Sequence, residues 1–280
     1  MHKFILIYLL STSYIFSNIN VIVSILPQQT FVKTIGGDRV DVSLMVRPGD
    51  SPHTYEPKPS QMVAITKADL YFAIDVEFEH VWLPKFTNSN TNLHIIDLSD
   101  GISKMHISSA HEGHNHAHES DDPHIWTTPE NVKIIAQNIY TALVKEDSNS
   151  TSYFKNNLDT FLASIDHTDT QIKKILSTLK ENRTFMVFHP SWGYFAKAYN
   201  LRQIAVEVEG KSPKPRELVQ LIKKAKAEKV KAIFTQPEFS DTSAKIIANE
   251  LHIPVVKVSP MAKNWSENLL NIAKAIAGKH

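Results

Sequence analysis

The chain contains no cysteine. Disulfides, thiolate-held zinc and thiol catalysis are therefore excluded. Charge of one sign is lacking too: 30 basic residues face 29 acidic ones, a net charge of +1. That balance gives no reason to expect nucleic acid or an acidic polymer as partner. Neither H-E-x-x-H nor G-x-S-x-G occurs, so the common zinc-protease and serine-hydrolase signatures are missing. Beyond the N-terminus no apolar run approaches the roughly 20 residues that a membrane span needs.

What is present is an ordinary globular composition, 280 residues with 42% apolar side chains. One large domain or two lobes would fit this length. The first residues, "MHKFILIYLLSTSYIFSN", have a lysine, a short apolar stretch and then small polar residues. This pattern predicts a secretory signal peptide over residues 1–19, with cleavage between Ser13 and Asn20. With no cysteine to carry a lipid, the expectation is a protein free in the periplasm.

After this leader a strand-then-helix rhythm runs through both halves. "NVIVSILP" (Asn20–Pro27), "VDVSLMV", "LYFAI" and "LHIIDLS" read as strands, and "PSQMVAITKAD" and "PENVKIIAQNIYTALVKED" as helices. Thr128 and Pro129 form a clear helix start. From 151 to 183 apolar residues keep helical spacing with no turn signal, long for a globular helix and suited to a connection between two lobes. The rhythm then resumes through "TFMVF", "QIAVEV", "KAIFT" and "PVVKVS" and the helices between them. The predicted fold is α/β, two lobes with mostly parallel sheets covered by helices and joined by one long helix. Its parts are an N-terminal lobe over 20–150, the linking helix over 151–183 and a C-terminal lobe over 184–280.

In such folds ligands bind beyond the carboxyl ends of the strands. Three histidines stand at such ends: His53 in "RPGDSPHTYEPKPS", His124 in "DDPHIW" and His189 in "FHPSWGYF". Each alone reads as a polar loop residue or a hydrogen-bonded core histidine. Three in matching positions point to a shared metal, and neutral imidazole suits Zn²⁺ better than Ca²⁺ or Mg²⁺.

The segments "RPGDSPHTYEPKPSQMVAITKADL", "DDPHIWTTPENVKIIAQNI", "FHPSWGYFAKAYNL" and "KAIFTQPEFSDTSAKIIANEL", in that order, resemble the zinc-binding solute-binding proteins of ABC transporters, the cluster A-I or ZnuA-like family. The resemblance covers nearly the whole mature chain. It implies a monomeric extracytoplasmic receptor that catalyses no reaction, holds Zn²⁺ as cargo in an interlobe cleft and hands it to a membrane permease. It places His53, His124 and His189 on the three histidine ligands. The manganese and iron branch resembles this pattern with a glutamate at the third position, so His189 points to zinc. Where the family has an aspartate near the last strand this chain has Ser259, in "KVSPMAKNW". Water, Glu56 or Glu238 are the candidates for a fourth ligand, with water first.

The tract "HISSAHEGHNHAH", residues 106–118, is a separate feature. Its composition predicts a polar loop that gathers metal weakly, and the resemblance implies a histidine-rich loop at this place. His80, His94, His167, His252, His2 and His280 show no convergence. Two other readings compete with transport: a zinc hydrolase with Glu56 as base, and a metal-buffering or adhesive surface protein.

Overall fold

The computed structural model describes residues 18–107, 121–179, 183–207 and 211–279. Residues 1–17 of the expected leader and most of the histidine tract lie outside the described residues. No helix among the described residues is long and apolar enough to cross a membrane.

Two four-stranded sheets carry the fold. The first is built from β1 (Ile19–Val23), β2 (Val40–Leu44), β3 (Leu70–Ala73) and β4 (His94–Asp97). The second holds β5 (Thr184–Val187), β6 (Arg202–Ala205), β7 (Ile233–Thr235) and β8 (Val255–Lys257). Their orders are β2-β1-β3-β4 and β6-β5-β7-β8, and every pairing is parallel. Parallel strands need crossovers that return the chain to the same edge, and helices supply them. Helices α1 (Leu26–Gly36), α2 (Pro59–Ile65), α3 (Glu77–Ser89) and α4 (Pro129–Glu146) belong to the first lobe. In the second lobe these are α6 (Gly193–Ala198), α7 (Pro215–Ala227), α8 (Thr242–Leu251) and α9 (Trp265–Ile276).

Between them runs α5, Thr151–Leu176, 26 residues and hence about 39 Å long. It packs against α1 and α4 on one side of the molecule and α9 on the other. Phe154, Phe161, Ile165 and Ile172 of α5 belong to one apolar core that reaches from Val21 and Phe72 in the first sheet to Phe185 and Phe234 in the second. Alternate residues of β5 face a second core, where Met186 meets Ile204 and Ile247. The two lobes are thus joined by continuous packing rather than by a flexible tether.

Three local departures from the sequence pattern have physical causes. Leu26 and Pro27 belong to α1, not to the preceding strand, because buried Gln28 ends that strand. Its Oε1 accepts the N–H groups of Ser24 and Ile25, both at 3.0 Å, and its Nε2 donates to the Phe72 carbonyl at 2.9 Å. Helix α5 stops at Leu176, short of 183, because the chain tightens: the N–H groups of Thr178 and Leu179 bond three residues back, to Ile175 and Leu176. Helix α3 was not legible, since Pro84 interrupts its pattern.

The start of α3 holds an unusual carboxyl. Glu79 is 2% exposed; it accepts the N–H groups of Ile74, Asp75 and Val76 and the Ser24 hydroxyl. Burial pushes its pKa up to about 7 against these hydrogen bonds, which pull it down. The folded chain therefore holds this proton more tightly than the unfolded one. The resulting stability is complete below the unfolded value of 4.5 and is lost as pH rises through about 7. A Glu79→Gln variant lacks that loss, so its unfolding free energy in urea should gain on the parent between pH 4.5 and 7, by roughly 3 kcal/mol at most. Parallel free energies across that range would refute the assignment.

Candidate metal centre

The first candidate, His53, lies in the loop that carries the chain from β2 to α2. His124 opens the turn before α4, where Thr128 accepts the Asn131 N–H at 3.2 Å and fixes the helix start. In the second lobe, His189 follows β5, and Gln236 anchors it: its Nε2 donates to the His189 carbonyl at 2.7 Å. The fold brings all three to one place. One ring nitrogen of each lies within 4.8 Å of those of the other two, and Nε2 of His53 stands 3.2 Å from Nε2 of His189. Two nitrogens on a tetrahedral zinc with bonds of about 2.0–2.1 Å are separated by about 3.3 Å.

Each ring is aimed by a carboxylate on its other nitrogen. Glu77 lies 2.7 Å from Nδ1 of His53, Asp122 2.7 Å from Nδ1 of His124, and Glu207 2.9 Å from Nδ1 of His189. A carboxylate at Nδ1 draws the proton there and leaves Nε2 with a free lone pair. Three lone pairs then face a common point. Without a cation between them they repel, so the arrangement is built to receive one.

The histidine nearest solvent and its carboxylate behave differently from the buried pair. Burial pulls the His53 pKa down, but the hydrogen bond and charge of Glu77, with Glu207 and Asp122 behind, leave it raised. Burial lowers the pKa of His189 and, helped by the neighbouring histidines, outweighs the pull of Glu207. The Glu77 carboxyl is opposed by burial but ends below its usual value through His53. A cation competes with a proton at His53 and finds His189 already neutral. Because the His53 pKa is raised, binding begins to weaken as pH falls while still above the ordinary histidine value of about 6.5.

The cleft around the rings is lined by Pro52, Trp126, Phe239, Pro260 and Met261, with Glu238 at its edge. Phe239 stacks on the His189 ring with centroids 4.7 Å apart. Trp126 is a buried wall residue, whereas Trp192 is buried outside this lining. Of the acidic candidates, Glu56 is exposed and lies outside this lining. Glu238 is present in it, and Ser259 donates to its Oε1 at 3.3 Å. No carboxylate joins the three-nitrogen group among the described residues.

Sequence reasoning missed Glu77, Asp122 and Glu207. Asp122 carried a signal, the D-x-H spacing that lets one carboxylate hold both the ring and the backbone N–H of His124, at 2.7 and 2.9 Å. Glu77 and Glu207 also sit just past strands, where the rule that singled out the histidines applies to their partners. His111, His114, His116 and His118 of the histidine tract lie outside the described residues. Its root is ordered: His106 and Asp121 form an antiparallel bridge. Tyr194 accepts the Met105 N–H and donates to the Asp122 carbonyl, both at 3.1 Å. His80 and His94 are paired on the surface with Asp75 and Glu146.

Gly193 has a role no motif revealed. A Cβ at this residue would lie 2.6 Å from Oδ2 of Asp122. Asp122 is buried and tied through its own N–H and carbonyl to Met105 and Tyr194, so it has little room to retreat. Gly193→Ala should turn that carboxylate off His124 and weaken metal binding about 10- to 100-fold, with the far-ultraviolet spectrum unchanged. Competitive chelator titration checks this; full affinity would show that Asp122 yields freely.

Two α/β lobes joined by one long helix, with a cleft of converging imidazoles between them, have the architecture of a metal-binding solute receptor. Residues 21–277 match the family model described as "Zinc-uptake complex component A periplasmic", and the chain belongs to that family. A crystal structure of ZnuA is 40% identical, with a TM-score of 0.86 over 94% of this chain and 99% of that one. The high-affinity zinc uptake system protein ZnuA of Bacillus subtilis is 28% identical over 243 residues, 83% of this chain and 75% of that protein. The manganese ABC transporter substrate-binding lipoprotein scaA of Streptococcus gordonii is 27% identical over 257 residues, 88% of this chain and 80% of that protein. The chain is thus an extracytoplasmic substrate-binding component of a metal ABC transporter.

Proposed function

We propose that this protein captures Zn²⁺ outside the cytoplasm and delivers it to a membrane permease for high-affinity uptake. His53, His124 and His189 are the protein ligands, and water completes the tetrahedron. The observation that carries the reading is the set of three imidazoles, each with Nδ1 held by a carboxylate and Nε2 left for a cation. An all-nitrogen set favours zinc over manganese, which takes more oxygen. Relatives named for both metals exist, so the choice rests on this donor set. The lobes divide at about residues 150 and 184, the leader occupies 1–19, and the mature chain works as a monomer. Several relatives are named lipoproteins; this sequence has no thiol for such a link, which supports a free periplasmic form.

The histidine tract within 106–118 gathers further zinc weakly and feeds or limits loading. Metal analysis and titration of the mature protein, with and without residues 106–118, test both parts. One tight Zn²⁺ should survive the deletion while weaker equivalents vanish with it. Tighter binding of Mn²⁺ than Zn²⁺, or loss of the tight equivalent with the tract, would overturn the reading.

A further inference from the structure

The two lobes repeat each other in sequence as well as in topology. Their sheets share one strand order, so α2 and α7 follow equivalent strands, as do α3 and α8. Helix α2 is entered through Pro57-Lys58-Pro59 and carries Val63 as its fifth residue; α7 is entered through Pro213-Lys214-Pro215 and carries Val219 as its fifth. Both starts are built alike: the third helical residue, Gln61 or Glu217, accepts the N–H of the preceding lysine at 2.9 or 2.7 Å. The fifth residues of α3 and α8 are Val81 and Ile246.

Among the described residues five large apolar side chains are exposed, and four of them are these: Val63 57%, Val81 58%, Val219 51% and Ile246 47%. One exposed valine needs no explanation. Four at matching positions do, because an amphipathic helix otherwise turns such residues inward. In each lobe the two helices touch, so each lobe presents a pair of apolar side chains about 6 Å along the helices from their N-termini. Those N-termini rise from the carboxyl edges of the sheets, the edge that carries His53 and His189. Lys58 and Lys214, both exposed, add one positive charge per lobe at the same rim.

We propose that these residues form two equivalent docking pads, Val63, Val81 and Lys58 on one lobe and Val219, Ile246 and Lys214 on the other. They seat on a two-fold-symmetric pair of permease subunits, each offering an apolar surface with a carboxylate beside it. The proposal rests on the transport reading above. A single chain that presents the same chemistry twice is met by two copies of one partner surface, which is what a two-fold axis supplies. The lysines set the sign of the partner charge and speed its encounter. Pads on both sides of the cleft also bring the metal over the axis between the subunits.

The test is uptake of radioactive zinc by cells of the source organism lacking this gene and complemented with full-length variants. Val63→Glu and Val219→Glu should each cut uptake about tenfold or more, as loss of a buried anchor does. Zinc affinity of the purified variants should stay within about twofold of the parent, since no ligand is touched. Asn156→Glu, exposed on α5, is the control and should leave uptake unchanged. Parental uptake in both valine variants, or a loss confined to one lobe, would overturn the pads. So would a concentration-dependent dimer of the parent that either variant dissolves, because the pads would then join two copies of this chain. If the parent gene itself fails to restore uptake, the transport reading falls, and the pads with it.

Discussion

Replacing His189 with alanine is expected to weaken zinc binding on the order of 100- to 1,000-fold, about a quarter of the apparent 10–16 kcal/mol that a four-ligand zinc site supplies. The same substitution leaves Glu207 buried without its imidazole, so the metal-free protein should also lose stability. His53→Ala separates the two effects. Its carboxylate, Glu77, is 43% exposed and is rehydrated when the ring is gone, so affinity should fall comparably with little change in metal-free stability. Competitive titration against a chelator, with unfolding of the metal-free proteins alongside, reads both quantities. Zinc at about 100 times its Kd should stabilise the parent by about 2.7 kcal/mol, and neither variant should show this gain at the same concentration. Undiminished affinity in both would remove the three-histidine site.

Trp126 should matter more to the fold than any ligand. It is 1% exposed and ties distant segments together: its Nε1 donates to the Pro260 carbonyl at 2.8 Å, and its own carbonyl accepts the Trp265 Nε1 at 2.7 Å. Its ring lies 5.4 Å from that of His124. Trp126→Ala empties a large buried volume and is expected to cost about 3–5 kcal/mol in urea unfolding. Trp126→Phe keeps most of the packing and strands the Pro260 carbonyl, for about 1–3 kcal/mol. The alanine variant should also bind zinc more weakly, because the wall that holds His124 is gone, while the phenylalanine variant retains binding. A midpoint for Trp126→Ala equal to that of the parent would mean the lobes are held together elsewhere.

Much of the architecture was legible because strand and helix periods are local. The apolar alternation of β2, the capped start of α4 at Thr128 and Pro129, and the long amphipathic α5 follow from residues close to one another in the chain. What misled was local as well. Pro27 marks a strand end by itself, but the side chain of Gln28, bonded to the distant Phe72 carbonyl, places it inside a helix. Pro84 speaks against α3, whose start Glu79 nevertheless secures through three backbone N–H groups.

The absence of cysteine, the α/β rhythm and three histidines beyond strand ends were determined by the sequence alone. Only the tertiary structure decided that those imidazoles converge, that Glu77, Asp122 and Glu207 aim them, and that Gly193 leaves room for Asp122. These facts join residues up to 136 positions apart, and no periodic pattern encodes such a meeting. It arises when packing along α5 sets the two sheet edges face to face.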